Sequence, residues 1–177
     1  MALLAEEIVE EWLNRNGYFT IRGLKLGVHE IDLLVLRVGG EGTIECRHIE
    51  VQASMRPVSY ISRVPVAVQR ATGRAANSAK RSPEEIDVGV REWVDKKFRH
   101  PKKIAVMQSL CAVPWTSELV INNVKSEDEV ARIQAHGVRI LRLRDIVEDL
   151  SRPRAFTASG ADLVDLIQMG QDTAGRK

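Results

Sequence analysis

Asp32 and Glu50 each stand where a strand would be expected to bury an apolar residue, in the stretch HEIDLLVLRVGGEGTIECRHIEVQA from His29 to Ala53. Gly39-Gly40-Glu41-Gly42 divides this stretch into two near-continuous apolar strands. A hairpin turning about Glu41 places Asp32 opposite Glu50, with Cβ atoms roughly 5 Å apart. Strand alternation sets Glu50 and Gln52 on one face, with His48 one step back. Burying two carboxylates among apolar strands is costly unless a cation neutralises them, so the pair reads as a ligand set for a hard, oxygen-loving ion such as Mg²⁺. An ion held there would polarise a phosphodiester and lower the pKa of a bound water. A polar patch at a sheet end, satisfied by arginines, is the other reading of the same spacing. A transition-metal site built from His29, His48, Asp32 and Glu50 is the weakest of the three. Its two histidines are not cross-strand neighbours in the register that pairs the carboxylates.

The elements that must position these residues follow from periodicity and punctuation. Residues 3 to 16 form an amphipathic helix with Ala5, Ile8, Val9 and Trp12 on one stripe, stopped by Asn16-Gly17. Two glutamates, Glu6 and Glu11, border that stripe, and the helical wheel does not choose between them. Tyr18 to Arg22 is a short strand, and Gly23 to Gly27 a turn into the hairpin. Ser82-Pro83-Glu84-Glu85 opens a helix that continues through Trp93 to a basic end at Lys97. Lys103 to Val113 reads as an apolar strand, Pro114 to Ser117 as a turn, and Glu118 to Asn122 as another short strand. Ser126 caps a helix to Ala135, Val138 to Leu143 is a strand, and Arg144 to Leu150 a helix. This alternation implies an α/β fold, with some parallel pairing in a central mixed sheet flanked by helices. Residues 1–150 read as the domain, and 151–177 as a C-terminal helix near Ala161 to Met169 with a frayed tail.

Charge is distributed unevenly. Between Ala53 and Pro83 there is no acidic residue, yet Arg56, Arg63, Arg70, Arg74, Lys80 and Arg81 all occur. A helix opened by Pro65 and continuing to about Lys80 would gather Arg70, Arg74, Asn77 and Arg81 on one face, at 100° per residue. Ala67, Ala71, Ala75 and Ala79 would pack its adjoining face on the sheet. An acid-free basic face beside paired carboxylates is the footprint a polyanion needs, although an ordinary solvated helix has the same composition.

Composition sets the bounds. At 177 residues, 44% hydrophobic and 28% charged, the chain has the size and make-up of one globular domain. Its longest apolar runs fall well short of the roughly 20 residues that span a bilayer, so no membrane association is expected. The acidic start, MALLAEEIVEEW, is unlike a basic signal peptide, which leads to the expectation of a cytoplasmic protein. Cys46 and Cys111, placed far apart in apparent strands, are expected to be buried and reduced.

Taken in order, Glu6 with Gly17-Tyr18 eleven residues on, then His29-Glu30-Ile31-Asp32-Leu33-Leu34, then Ile49-Glu50-Val51-Gln52, resemble the core of the PD-(D/E)XK nuclease superfamily. The pattern is closest to its small, Holliday-junction-resolvase-like members. The resemblance implies a restriction-endonuclease-like αβββαβ core and a metal-dependent DNA endonuclease or exonuclease. It selects Glu6 over Glu11 and makes Asp32 and Glu50 ligands of Mg²⁺ or Mn²⁺, with the Val51 carbonyl completing the shell. Gln52 stands where the family has a water-orienting lysine, and an amide can only hydrogen-bond there. Lys25 or Lys80 are the candidates for supplying that charge from elsewhere. The basic residues from Arg56 to Arg81 would contact the phosphate backbone of DNA. Many small members are dimers, so a homodimer is implied as well. The alternative within the same fold is an inactive domain that binds nucleic acid or a protein partner.

Overall fold

The computed structural model describes residues 2–54 and 56–152, and the expected helix near Ala161 lies outside them. Helix α1 (Ala2–Arg15) leads into β1 (Phe19–Leu26), β2 (His29–Val38) and β3 (Ile44–Gln52). Three further helices, α2 (Val66–Thr72), α3 (Pro83–Phe98) and α4 (Pro101–Leu110), precede β4 (Trp115–Ile121). Then come α5 (Glu127–Ala135), β5 (Val138–Arg142) and α6 (Leu143–Leu150). The strands form one mixed sheet in the order β1-β2-β3-β4-β5, antiparallel through β3 and parallel from β3 to β5. The fold is therefore α/β, with helices on both faces of a five-stranded mixed sheet.

Apolar alternation explains both layers. Leu33, Val35, Ile49 and Val51 project to one side, where Ala5, Ile8, Val9 and Leu13 of α1 and Ile146 and Leu150 of α6 cover them. Leu119 and Ile121 project to the other, under Ile86, Val90, Val94 and Phe98 of α3 and Val130 and Ile133 of α5. Each fully buried Leu, Ile or Val contributes about 1.5–3 kcal/mol, so this double cover fixes which face each strand residue takes. The hairpin turn contains Glu41 at φ 60, and β2 and β3 pair with Leu36 opposite Cys46 and Leu33 opposite Ile49. That is the register expected of a turn about Glu41.

Several expected elements differ. Lys103 to Leu110 is helical: His100 caps α4 by accepting from Lys102 N–H, and Pro101 occupies its first position. These start signals outweigh the apolar content that suggests a strand. Trp115 to Ser117 belongs to β4 and is not a turn, and β1 runs on through Gly23 to Leu26. The helix opened by Pro65 ends at Gly73, which adopts the left-handed conformation at φ 68, so Arg74, Asn77 and Arg81 lie beyond it. Ala67, Ala71, Ala75 and Ala79 are all exposed and pack on no sheet. The loop carrying Ile61 and Ser62 is held by the buried Glu129 carboxylate, which accepts from Ile61 N–H at 2.6 Å and Ser62 N–H at 2.9 Å. Gly89 of α3 faces this loop so closely that a Cβ there would come within 2.5 Å of the Arg63 carbonyl oxygen.

Candidate active site

The site lies where the β2–β3 ladder ends. Main-chain pairing stops at Leu33 and Ile49, and the next available N–H on β3, that of Val51, donates to the Asp32 carboxylate at 2.8 Å. Asp32 and Glu50 are thus brought together at one end of the sheet. Glu50 is 1% exposed and accepts from three groups: Lys103 Nζ at 2.6 Å and His48 Nε2 at 3.0 Å on Oε1, and Lys97 Nζ at 2.6 Å on Oε2. Lys97 comes from the last turn of α3 and Lys103 from the first turn of α4. Two helices therefore deliver ammonium groups to the strand that lacks a lysine of its own.

The two carboxylates differ in electrostatics. Burial, then the Glu50 charge, raise the Asp32 pKa to about 6, against the opposing pull of Lys97 and the Val51 hydrogen bond. Burial alone would raise Glu50 too, but the His48 hydrogen bond and the Lys97 and Lys103 charges outweigh it and bring Glu50 to about 2. Burial would lower Lys97, yet Glu50 and Asp32 raise it, so it is a cation at neutral pH. His48 is lowered by burial and neutral; its Nδ1 is buried without a hydrogen-bond partner among the described residues. Glu6, half-buried on α1, is raised by burial and then by Glu30, and Glu50 adds to the effect. Glu11 is buried and takes Arg15 at 2.7 Å, so it belongs to the α1 packing.

A divalent cation fits this charge distribution in part. Asp32 and Glu6 carry raised pKa values, the mark of negative charge without sufficient compensation, and the Asp32 carboxylate receives a single hydrogen bond among the described residues. Glu50 is already compensated by two lysines. As the side chains stand, no three His, Cys, Asp or Glu residues among those described converge on one ion position. The histidines do not join the carboxylates as a pair: His29 stacks on His100 at 3.7 Å between ring centroids, away from His48.

Gln52 is partly exposed and two residues beyond Glu50 on β3. Neither Lys25, on the edge strand β1 opposite Glu30, nor Lys80, on an exposed loop, pairs with Glu50; Lys97 and Lys103 do. The sequence carried a signal for Lys97, which lies three residues beyond the buried Val94 and seven beyond Val90 on the inward stripe of α3. Lys103 is hidden by the strand reading of its segment.

The basic segment divides into two groups. Arg56, Arg63, Arg70 and Lys80 are exposed. Arg74 instead bonds Glu85 at 2.6 Å and the Lys80 carbonyl. Arg81 donates to Ser78 O at 2.9 Å and Ser62 O at 3.1 Å while lying 4.3 Å over the Tyr60 ring. These two arginines are engaged in holding the loop, which corrects the single basic helix face. The cysteines are also closer than their spacing suggests: Cys46 pairs with Trp115 across the sheet, and the Trp115 indole donates to the Cys111 carbonyl at 3.1 Å. Cys46 is buried on β3, and Cys111, half-buried, ends α4.

No family model and no curated protein matches the chain. Among solved structures it is similar to a crystal structure described as "Protein of Unknown Function AF1548", at 14% identity and a TM-score of 0.47. The match covers 84% of this chain and 66% of that one, so this chain spans just under two-thirds of that protein's length. No helix among the described residues is long and apolar enough to cross a membrane.

Proposed function

We propose that this chain is a cytoplasmic, restriction-endonuclease-like member of the PD-(D/E)XK superfamily that hydrolyses DNA phosphodiester bonds, as an endonuclease or exonuclease. The observation that carries the reading is the Lys97 ammonium, 2.6 Å from Glu50 and beside the under-compensated Asp32. A cationic lysine is thereby restored next to the acidic pair although Gln52 occupies the usual lysine position.

Asp32 and Glu50 would hold Mg²⁺ or Mn²⁺, with Glu6 and the Val51 carbonyl assisting. When bound, the ion supplies a polarised water and charge stabilisation at the phosphate. Lys97 is protonated at rest, so its role is to orient the attacking water and to offset negative charge developing on the phosphoryl oxygens, not to act as the initial base. Gln52, at the open end of β3, offers the water a neutral hydrogen bond. His48 and Lys103, both buried, hold the Glu50 Oε1 edge in place and leave Oε2 facing Lys97. Exposed Arg56, Arg63, Arg70 and Lys80 contact backbone phosphates, in a monomer or a homodimer.

A second reading is favoured by the same Glu50. Both of its oxygens are occupied by lysines, which is the arrangement of a self-neutralised structural network in a domain that binds nucleic acid or protein without cutting. Incubation of plasmid, single-stranded and branched DNA with Mg²⁺ or Mn²⁺ separates the two. Wild-type cleavage that disappears in Asp32→Ala supports the nuclease, and absence of wild-type cleavage on every substrate removes it.

A further inference from the structure

A second polar site lies along the same edge of the sheet. Gln52 at the end of β3 pairs with Ile121 at the end of β4, and Ile121 with Arg142 at the end of β5. Beyond the ends of β4 and β5 opens a cleft of about 560 Å³. Its lining includes Asn122, Asn123, Lys125, Glu127, Arg142 and Arg144. Three cations thus face one carboxylate. Arg142 holds Glu127 at 2.6 Å, whereas the exposed Lys125 side chain has no ion-pair or hydrogen-bond partner among the described residues. The Arg144 side chain is 85% exposed, and among the described residues its ion-pair partner is its neighbour Asp145, at 3.2 Å.

The cleft wall is built before any ligand arrives. Val58 N–H donates to the Asn123 carbonyl at 3.1 Å and Lys125 N–H to the Val58 carbonyl at 3.0 Å, a short parallel bridge joining the loop after β3 to the loop after β4. Asn122 adds a bond to the Ser54 carbonyl at 3.1 Å. The loop leaving the Glu50 strand is therefore fastened directly to the cleft. In open α/β sheets, the crevice outside the carboxyl ends of parallel strands is where ligands collect. With strands about 4.8 Å apart, the cleft lies one to two strand spacings from β3, within reach of the next nucleotides on one strand.

We propose that this cleft binds the phosphates of the nucleic-acid strand flanking the one that reaches Asp32 and Glu50, with Arg142, Arg144 and Lys125 as the contacting cations. The inference rests on the nuclease reading for its choice of polyanion. It adds Arg142, Arg144 and Lys125 to the exposed Arg56, Arg63, Arg70 and Lys80 as phosphate contacts, in place of Arg74 and Arg81, whose guanidinium groups hold the loop.

The test is a titration of the isotope-labelled full chain with 5′-phosphorylated thymidine dinucleotide in the absence of metal, followed by amide chemical shifts. The expected result is a set of shifts at Asn123, Lys125, Leu143 and Arg144. Affinity should fall at least tenfold in Arg142→Ala/Arg144→Ala, and also fall in Lys125→Ala, which removes no ion pair or side-chain hydrogen bond among the described residues. The salt dependence of oligonucleotide binding should fall by one to two phosphates' worth in the double variant. Shifts confined to other surfaces, or equal affinity in all variants, overturn the proposal. If the dinucleotide seats in the cleft while no DNA is cut, the cleft stands and the nuclease reading falls. Cleavage of DNA with an unchanged KM in the double variant leaves the nuclease and removes the cleft.

Discussion

The Lys97 ammonium reaches Glu50 Oε2 at 2.6 Å across 47 positions of sequence, so the counter-ion of a strand carboxylate is supplied by the end of a helix. If that ammonium does the work of the lysine absent from β3, its removal should cost far more rate than affinity. Lys97→Ala is expected to lower the single-turnover cleavage rate by about 10²–10³, the usual effect of deleting one charge-stabilising group. Gln52→Lys in the same background should recover part of the loss, because position 52 lies on the same strand and face as Glu50. A double variant as inactive as Lys97→Ala would show that the two positions are not interchangeable.

Asp32 links stability to the site. Its pKa is about 6 in the folded protein against 3.8 for the free side chain, so the native state holds the proton more tightly than the unfolded chain. The corresponding stability is present below about pH 4 and is lost as pH rises through 6. Asp32→Asn keeps an acceptor for Val51 N–H and removes the charge. Urea denaturation should find it about 1–3 kcal/mol more stable than wild type at pH 7.5, with little difference at pH 4. Mg²⁺ or Mn²⁺ should raise the wild-type midpoint and leave the variant unchanged. Equal stability of the two proteins at pH 7.5 would mean that Asp32 is not under-compensated.

Lys103 has a structural role that Lys97 does not. Both it and Glu50 are 1% exposed, and its Nζ also donates to the Lys97 carbonyl at 2.8 Å. Removing Lys103 leaves the buried Glu50 Oε1 with His48 alone and Oε2 with Lys97, so Lys103→Met should destabilise by about 2–3 kcal/mol. Lys103→Met/Glu50→Gln should be less destabilised than the sum of its single changes. Additive losses in denaturant melts would refute the coupling.

Among the basic residues, position in the fold separates two outcomes. Arg81→Ala removes three loop hydrogen bonds, to Ser78 O, Ser62 O and Ser62 Oγ, and the contact with Tyr60, and should cost about 1–2 kcal/mol of stability without changing the salt slope of DNA binding. Arg63→Ala/Arg70→Ala removes exposed charges and should flatten that slope with the melting temperature unchanged. Reversal of these two patterns in binding and melting measurements would put the interface on the wrong residues.

Local chemistry made the hairpin legible. The turn at Glu41, the alternation of Leu33, Val35, Ile49 and Val51, and hence the meeting of Asp32 with Glu50, follow from period and turn type. Ser82 and Glu85 announce the start of α3 equally clearly, and form a capping box. Lys103 was not legible, because Ile104 to Val113 has a composition that suits strand and helix alike, and the cap at His100-Pro101 decides it. Arg74 and Arg81 illustrate a different limit. Their charges are plain in the sequence, but Glu85, Ser62 and Tyr60 become their partners only through tertiary folding, after Gly73 has ended α2.

The tight seat of Gly89 against the Arg63 carbonyl bears on how the site would fail. A lysine borne on β3 would stay beside Glu50 for as long as the sheet survived. Lys97 stays there only while α3 is docked, about 12 Å along the helix from that glycine contact at 1.5 Å per residue. Loss of the site is thus tied to the undocking of one helix. The sheet would remain paired, and its carboxylates in register, in a molecule that had already lost the Lys97 ammonium.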